Sequence, residues 1–141
     1  MSQRDPENPQ GGNDRASSLA RLKKRADFQR AARGMRWRGE AFALQARRRE
    51  EDAAPSGARV GLTAARKIGG AVARNRMRRR LKEALRLTRN LETRDDHDYV
   101  LIAQREALTQ RFEGLCADLA RAFAAVSAKS SRESSDRDRR K

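Results

Sequence analysis

The segment from Arg74 to Arg89 constrains this chain more than any other, because it can bury one helical face and no more. Met77, Leu81, Ala84, Leu85 and Thr88 recur at three- and four-residue spacing, the rhythm of an amphipathic helix. With an advance of about 100° per residue, Asn75, Arg78, Arg79, Lys82, Arg86 and Arg89 fall on the opposite side. Eleven Lys and Arg between Arg59 and Arg89 face a single acid, Glu83, so most of the net charge of +15 is concentrated here. Glu83 lies off the cationic side, and like charges along one face repel when no carboxylate at i+4 relieves them. Such a helix must lean its stripe on a core and turn its charge towards an anionic partner.

The rest of the chain supplies that core in short pieces. Ala41 to Arg47 alternates with the two-residue period of a strand, Phe42, Leu44 and Ala46 on one face and Ala43, Gln45 and Arg47 on the other. Arg59 to Ala65 repeats the pattern, and Tyr99 to Ala103 is a continuous apolar run suited to a buried strand. A first helix is predicted from about Ala26 to Arg33, with Gly34 placed for a left-handed C-terminal cap. A last helix is predicted from about Thr109 to Val126, with Phe112, Leu115, Leu119, Phe123 and Val126 on one side and Leu108 at its mouth. The order helix, strand, strand, helix, strand, helix predicts an α+β domain, a small sheet of about three to four strands covered by helices. Arg47 to Gly57 reads as a solvated loop. Residues 1–17 and 127–141, rich in Ser, Asp, Pro, Gly and Arg, are expected to be disordered tails around a single domain at 18–126.

Charge narrows the partner. A sequence pI near 11.5 favours a polyanion, whose phosphates Lys and Arg neutralise with release of condensed counterions. A membrane fits poorly, since no apolar run approaches the ~20 residues that span a bilayer. The polar start, Met1 to Ser18, has no signal-peptide character, so a cytoplasmic location is expected. One cysteine, Cys116, and one histidine, His97, cannot between them complete a zinc site. Asp95, Asp96, His97 and Asp98 are consecutive and cannot all converge on one ion, so a polar turn explains them better than metal binding. Gly69 and Gly70 either simply turn the chain into the helix or also let phosphate reach the backbone; without a following Gly-Lys-Ser/Thr they are no P-loop. Arginine outnumbers lysine on the helix, and its planar fork grips phosphate bidentately or stacks on a base. Composition leaves RNA and DNA both open. Trp37, between Arg36 and Arg38, either stacks on RNA or caps the sheet edge.

The run Lys67-Ile68-Gly69-Gly70-Ala71-Val72-Ala73-Arg74-Asn75-Arg76-Met77-Arg78-Arg79 resembles the signature of the bacterial ribonuclease P protein subunit, Lys-x-Gly-x-Ala-Val-x-Arg-Asn-Arg-x-Lys/Arg-Arg. The resemblance extends to Leu22-Lys23-Lys24, Asp27-Phe28-Gln29, Gly34, Phe42 with Leu44, Arg59-Val60-Gly61-Leu62 and Asp98 to Ala103, and covers roughly residues 20 to 126. It implies an α+β sandwich with a left-handed crossover through the cationic helix, against the usual right-handed preference. It also implies a protein that assists a catalytic RNA in hydrolysing one phosphodiester of precursor tRNA, releasing the 5′ leader. The chemistry falls to Mg²⁺ held mainly by the RNA, with no catalytic residue and no metal in the protein. The partners implied are the catalytic RNA and the precursor leader, without a membrane or an obligate protein partner.

Carried over position by position, the resemblance puts Arg74, Asn75, Arg76, Arg78 and Arg79 against the catalytic RNA, with Arg66, Lys67 and Lys82 adding contacts. A cleft between the first helix and the sheet would receive the leader, and Phe28, Ala32, Ala43 and Gln45 fall there. Phe28 either stacks on an unpaired base or belongs to the core. The chain departs from the family where aromatics are common, at Ala32 and Gln45, and has Lys82 where arginine is common. The rival readings are a ribosomal or nucleoid protein that only packs nucleic acid, and a protein-only nuclease.

Overall fold

The computed structural model describes residues 19–49, 57–89 and 91–140, the last ten of them by backbone alone. In chain order the elements are β1 (Ala20–Arg21), α1 (Arg25–Ala31), β2 (Met35–Arg38), β3 (Phe42–Arg48), β4 (Arg59–Thr63), α2 (Ala71–Leu87), β5 (His97–Ala103) and α3 (Phe112–Arg140). Single 3₁₀ turns at Arg66–Ile68 and Arg105–Leu108 precede α2 and α3. The five strands form one mixed sheet in the order β1-β4-β5-β3-β2, parallel between β1 and β4 and between β4 and β5, antiparallel elsewhere.

The two-residue rhythm sorts the side chains as expected. Phe42, Leu44, Ala46, Val60, Tyr99, Leu101 and Ala103 face one side. There they meet the stripe of α2 (Met77, Leu81, Ala84 and Leu85) and that of α3 (Leu115, Leu119, Ala122, Phe123 and Val126). The rings of Tyr99 and Phe123 lie 4.9 Å apart at its centre, and burial pushes the Tyr99 phenol up to about 12. The other sheet face carries a smaller cluster of Leu22, Ala31 and Val100, with Phe28 and Ile102 against it, and α1 lies over that cluster. Strand β5 is therefore buried on both faces, which its unbroken apolar run required.

Three features differ from the sequence-based expectation. The sheet has five strands because β1 is only two residues long and β2 alternates Met35 and Trp37 with Arg36 and Arg38, too weak a signal to stand out. Trp37 caps the sheet edge, its ring 5.3 Å from that of Phe42. Gly34 is not a left-handed cap, since among the described residues the positive-φ glycine is Gly57 at 106°. Its role is steric: a Cβ there would stand 2.0 Å from the carbonyl oxygen of Ala46. Finally, α3 continues past Val126 to Arg140 instead of giving way to a tail at 127. Ser127 and Ser130 are buried against the sheet's end, Ser127 Oγ donating to the Glu92 carbonyl at 2.8 Å. The tail expected at residues 1–17 lies outside the described residues.

Candidate nucleic-acid interface

Helix α2 is built to show its charge. Its apolar stripe is covered by the core, while Arg76, Arg79 and Lys82 are exposed, as are Arg66 and Lys67 on the turn before it. Arg74 is half-buried and its Nε donates to the Gly69 carbonyl at 3.2 Å, folding the side chain back across the turn. Arg78, also half-buried, donates to Asn75 Oδ1 at 3.1 Å. Among the described residues, no carboxylate makes an ion pair with Arg66, Lys67, Arg74, Arg76, Arg78, Arg79 or Lys82. All eight residues expected to face RNA thus lie on one turn and the first twelve residues of the helix after it.

Two basic residues of the same helix are already engaged. Arg80 sits one turn from both Met77 and Ala84, and its guanidinium donates to the carbonyls of Ala107 (2.5 Å) and Gln110 (2.7 Å), binding α2 to the entry of α3. Arg86 pairs with Glu83 at 2.5 Å, so that acid does relieve the cationic face at its far end. The hydrogen bond from Arg86 holds the Glu83 carboxyl below its usual range.

The second site residues lie on the opposite face of the sheet. Register places Arg36, Gln45, Val100 and Gly61 in one row, and Arg38, Ala43, Ile102 and Thr63 in the next. Along these rows opens a groove of about 440 Å³, lined by Arg36, Arg38, Ala43, Gln45 and Ile102, with Glu40 and Glu106 also in its wall. Ala43 and Gln45 thus lie where a leader was expected, but Phe28 and Ala32 do not line this groove. Ala32 is exposed at the end of α1. Phe28 is half-buried, its ring so close over Gly61 that a Cβ there would be 2.5 Å from Cζ. Arg36 and Arg38 escaped the sequence reading, because β2 itself did; the alternation Met35-Arg36-Trp37-Arg38 was the available signal.

A buried ion network fixes α1 to this face. Arg59 bonds Asp98 through Nε (2.8 Å) and Nη2 (2.7 Å), and its Nη1 lies 3.6 Å from Asp27 on α1. Arg49 reaches the same Asp98 at 2.7 Å, and Arg30 holds Asp27 at 2.6 Å. The bond to Asp98 raises the Arg59 pKa against the opposing effect of burial.

The acidic run before β5 diverges as its spacing demanded. Asp98 turns into that network, while His97 is buried with Nδ1 2.7 Å from Asp96 Oδ1 and Nε2 2.8 Å from Ser130 Oγ on α3. Burial lowers the His97 pKa. At Asp96 burial acts upward, but the bond to His97 and the nearby Arg48 outweigh it and hold the carboxyl low. A neutral ring donating from Nδ1 to a carboxylate leaves Nε2 to accept from the Ser130 hydroxyl.

A small α+β domain with unpaired guanidinium groups on one helix and a cation-edged groove across its sheet belongs to the class of nucleic-acid-binding proteins. The family profile described as Ribonuclease P matches residues 17–127. The ribonuclease P protein component of Ruegeria pomeroyi is 45% identical over 109 residues, covering 77% of this chain and 86% of that protein. That of Caulobacter vibrioides is 44% identical over 108 residues, covering 77% and 71%. Among solved structures, the RNase P protein of Staphylococcus aureus superposes with a TM-score of 0.61 at 24% identity, over 77% of this chain and 95% of that one. The protein from Thermotoga maritima gives 0.55 at 26%, over 72% and 96%. The chain belongs to the ribonuclease P protein family.

Proposed function

We propose that this chain is the RNA-binding subunit of a cytoplasmic ribonuclease P ribonucleoprotein. It assists a catalytic RNA in the endonucleolytic removal of the 5′ leader from precursor tRNA. The observation that carries the reading is the set of guanidinium groups on α2, Arg76 and Arg79 foremost, that no carboxylate of the described fold matches. Phosphates complete that surface: arginine forks donate to their oxygens in pairs, and displaced counterions make binding entropically favourable and salt-sensitive. Arg66, Lys67, Arg74, Asn75, Arg78 and Lys82 extend the same contact. The groove on the other sheet face receives the single-stranded leader, with Ala43 and Gln45 in its wall and Phe28 at its flank.

The described residues contain no group of three His, Cys, Asp or Glu that could hold a metal ion. In this reading the ion belongs to the RNA, and the protein's part is to bind, orient and neutralise. No helix among the described residues is long and apolar enough to cross a membrane.

Reconstitution tests this reading. Adding the purified chain to its catalytic RNA is expected to lower the Mg²⁺ needed for 5′ maturation of precursor tRNA, while the chain alone cleaves nothing. No change in the Mg²⁺ requirement at near-physiological salt contradicts the reading. Phe28→Ala is expected to reduce the preference for precursor over mature tRNA and to spare binding of the catalytic RNA. Equal losses on both would place Phe28 in the core alone.

A further inference from the structure

Among the described residues the exposed large apolar side chains are Val72, at 75% relative exposure, and Leu87, at 48%. Single apolar residues on a surface are ordinary, but these two share one face of one helix. At about 100° per residue, Val72, Arg76, Arg79, Glu83, Arg86 and Leu87 fall within roughly 60° of a common line along α2. Met77, Leu81, Ala84 and Leu85 point the other way, into the core. The outward face therefore begins and ends on an apolar side chain, the two about 22 Å apart along the axis. Between them stand Arg76 and Arg79, which no described carboxylate matches. We propose that Val72 and Leu87 are specificity-determining contacts, packing on unstacked base or sugar faces of the catalytic RNA so that α2 distinguishes that RNA from other polyanions. This rests on the reading of α2 as the catalytic RNA's contact surface and deepens it.

Charge alone makes no such distinction. Arginine contacts to phosphate draw much of their free energy from released counterions, and every nucleic acid supplies phosphates. An apolar contact needs a nucleotide whose face is presented at one particular place, and folded RNA splays bases out at loops and bulges. Two such contacts a fixed distance apart on a rigid helix therefore test the shape of the partner.

Both ends of the face suit that task. Beside Val72 the approach is open, since a Cβ added to Gly70 would meet nothing within 4 Å. A nucleotide can lie against Val72 there while its phosphates reach Arg66 and Lys67 on the preceding turn. Near Leu87 the charges of Glu83 and Arg86 are paired at 2.5 Å, so the two cancel. Contact at Leu87 removes apolar surface from water and adds no counterion release of its own.

The test titrates the catalytic RNA and an unrelated RNA duplex against the full chain at several salt concentrations. Val72→Ala and Leu87→Ala are each expected to weaken binding of the catalytic RNA about fivefold, the scale of losing two or three partly buried methyl or methylene groups. The double variant should lose about 25-fold, because distant sites add. The slope of log K against log salt should keep its wild-type value, and duplex binding should be unchanged. Val72→Ile, which keeps the side chain apolar, should retain wild-type discrimination. Alanine is a good helix former at exposed positions, so the free variants should melt within about 2 °C of the wild type. A larger drop would assign the side chain to the fold and overturn the proposal. Unchanged affinity in either alanine variant, equal losses on both ligands, or a reduced salt slope also overturns it. If the wild type itself does not prefer the catalytic RNA to the duplex, the failure lies with the reading of α2 instead.

Discussion

Arg79 and Arg80 are neighbours in the sequence and opposites in the structure, and replacing each by alanine separates binding from folding. Arg79 is exposed and unmatched by any described carboxylate. Arg79→Ala should leave stability within about 0.5 kcal/mol and lower the slope of log K against log salt by about 0.7–0.9, one phosphate contact. Arg80 holds two backbone carbonyls, those of Ala107 and Gln110, at 2.5 and 2.7 Å. Hydrogen bonds from a charged donor contribute about 1.5–3 kcal/mol each. Discounted for partial exposure, the pair is worth about 2–3 kcal/mol, or roughly 10 °C in Tm for a domain of this size. Thermal melts of the free proteins and titrations of catalytic RNA at several salt concentrations read the two quantities separately. If Arg80→Ala melts like the wild type but flattens the salt slope, or if Arg79→Ala destabilises without changing the slope, the assignment of the helix faces is wrong.

Gly34→Ala should lower stability by about 3 kcal/mol, because its Cβ would collide with backbone atoms of Ala46 that cannot swing away; Gly70→Ala, whose Cβ meets nothing within 4 Å, is the matched control in the same melting experiment. Asp98→Asn should cost about 3–5 kcal/mol in denaturant titration, since it strips the buried Arg49 and Arg59 of their shared anion. The buried His97 has a folded pKa below its ordinary 6.5, so the unfolded chain binds its proton more readily. Stability is therefore fully present above about pH 6.5 and is lost as pH falls from there towards the folded value. His97→Gln should remove that slope from the pH profile of Tm.

Elements with a strong period were legible from the sequence. The stripe Met77, Leu81, Ala84, Leu85 and the run Tyr99 to Ala103 state their burial directly, and both are buried as read except for the half-buried Ile102. The elements that escaped are those whose signal is short or shared. Two residues of β1 have no period, and β2 is half arginine because it forms the sheet's edge over a polar groove. The α3 extension failed to register because Ser127 and Ser130 resemble a solvated tail, yet their hydroxyls are matched by Glu92 and His97, more than 30 residues away in sequence. Glu83 was placed off the cationic face, but a side chain of that length reaches Arg86 at i+3. The groove was the least legible part, since it depends on register: only the pairing of Arg36 with Gln45 and Arg38 with Ala43 shows that two arginines border the wall.

Retention of RNA by the pure protein tests the central claim most directly. The chain is incubated with total cellular RNA in moderate salt, and what stays bound is sequenced, with an Arg74→Ala, Arg76→Ala, Arg79→Ala triple variant alongside. One structured noncoding RNA should dominate the wild-type sample, and the variant should lose it while folding normally. Retention of ribosomal RNA or bulk DNA in its place, or an unchanged profile in the variant, would contradict the account.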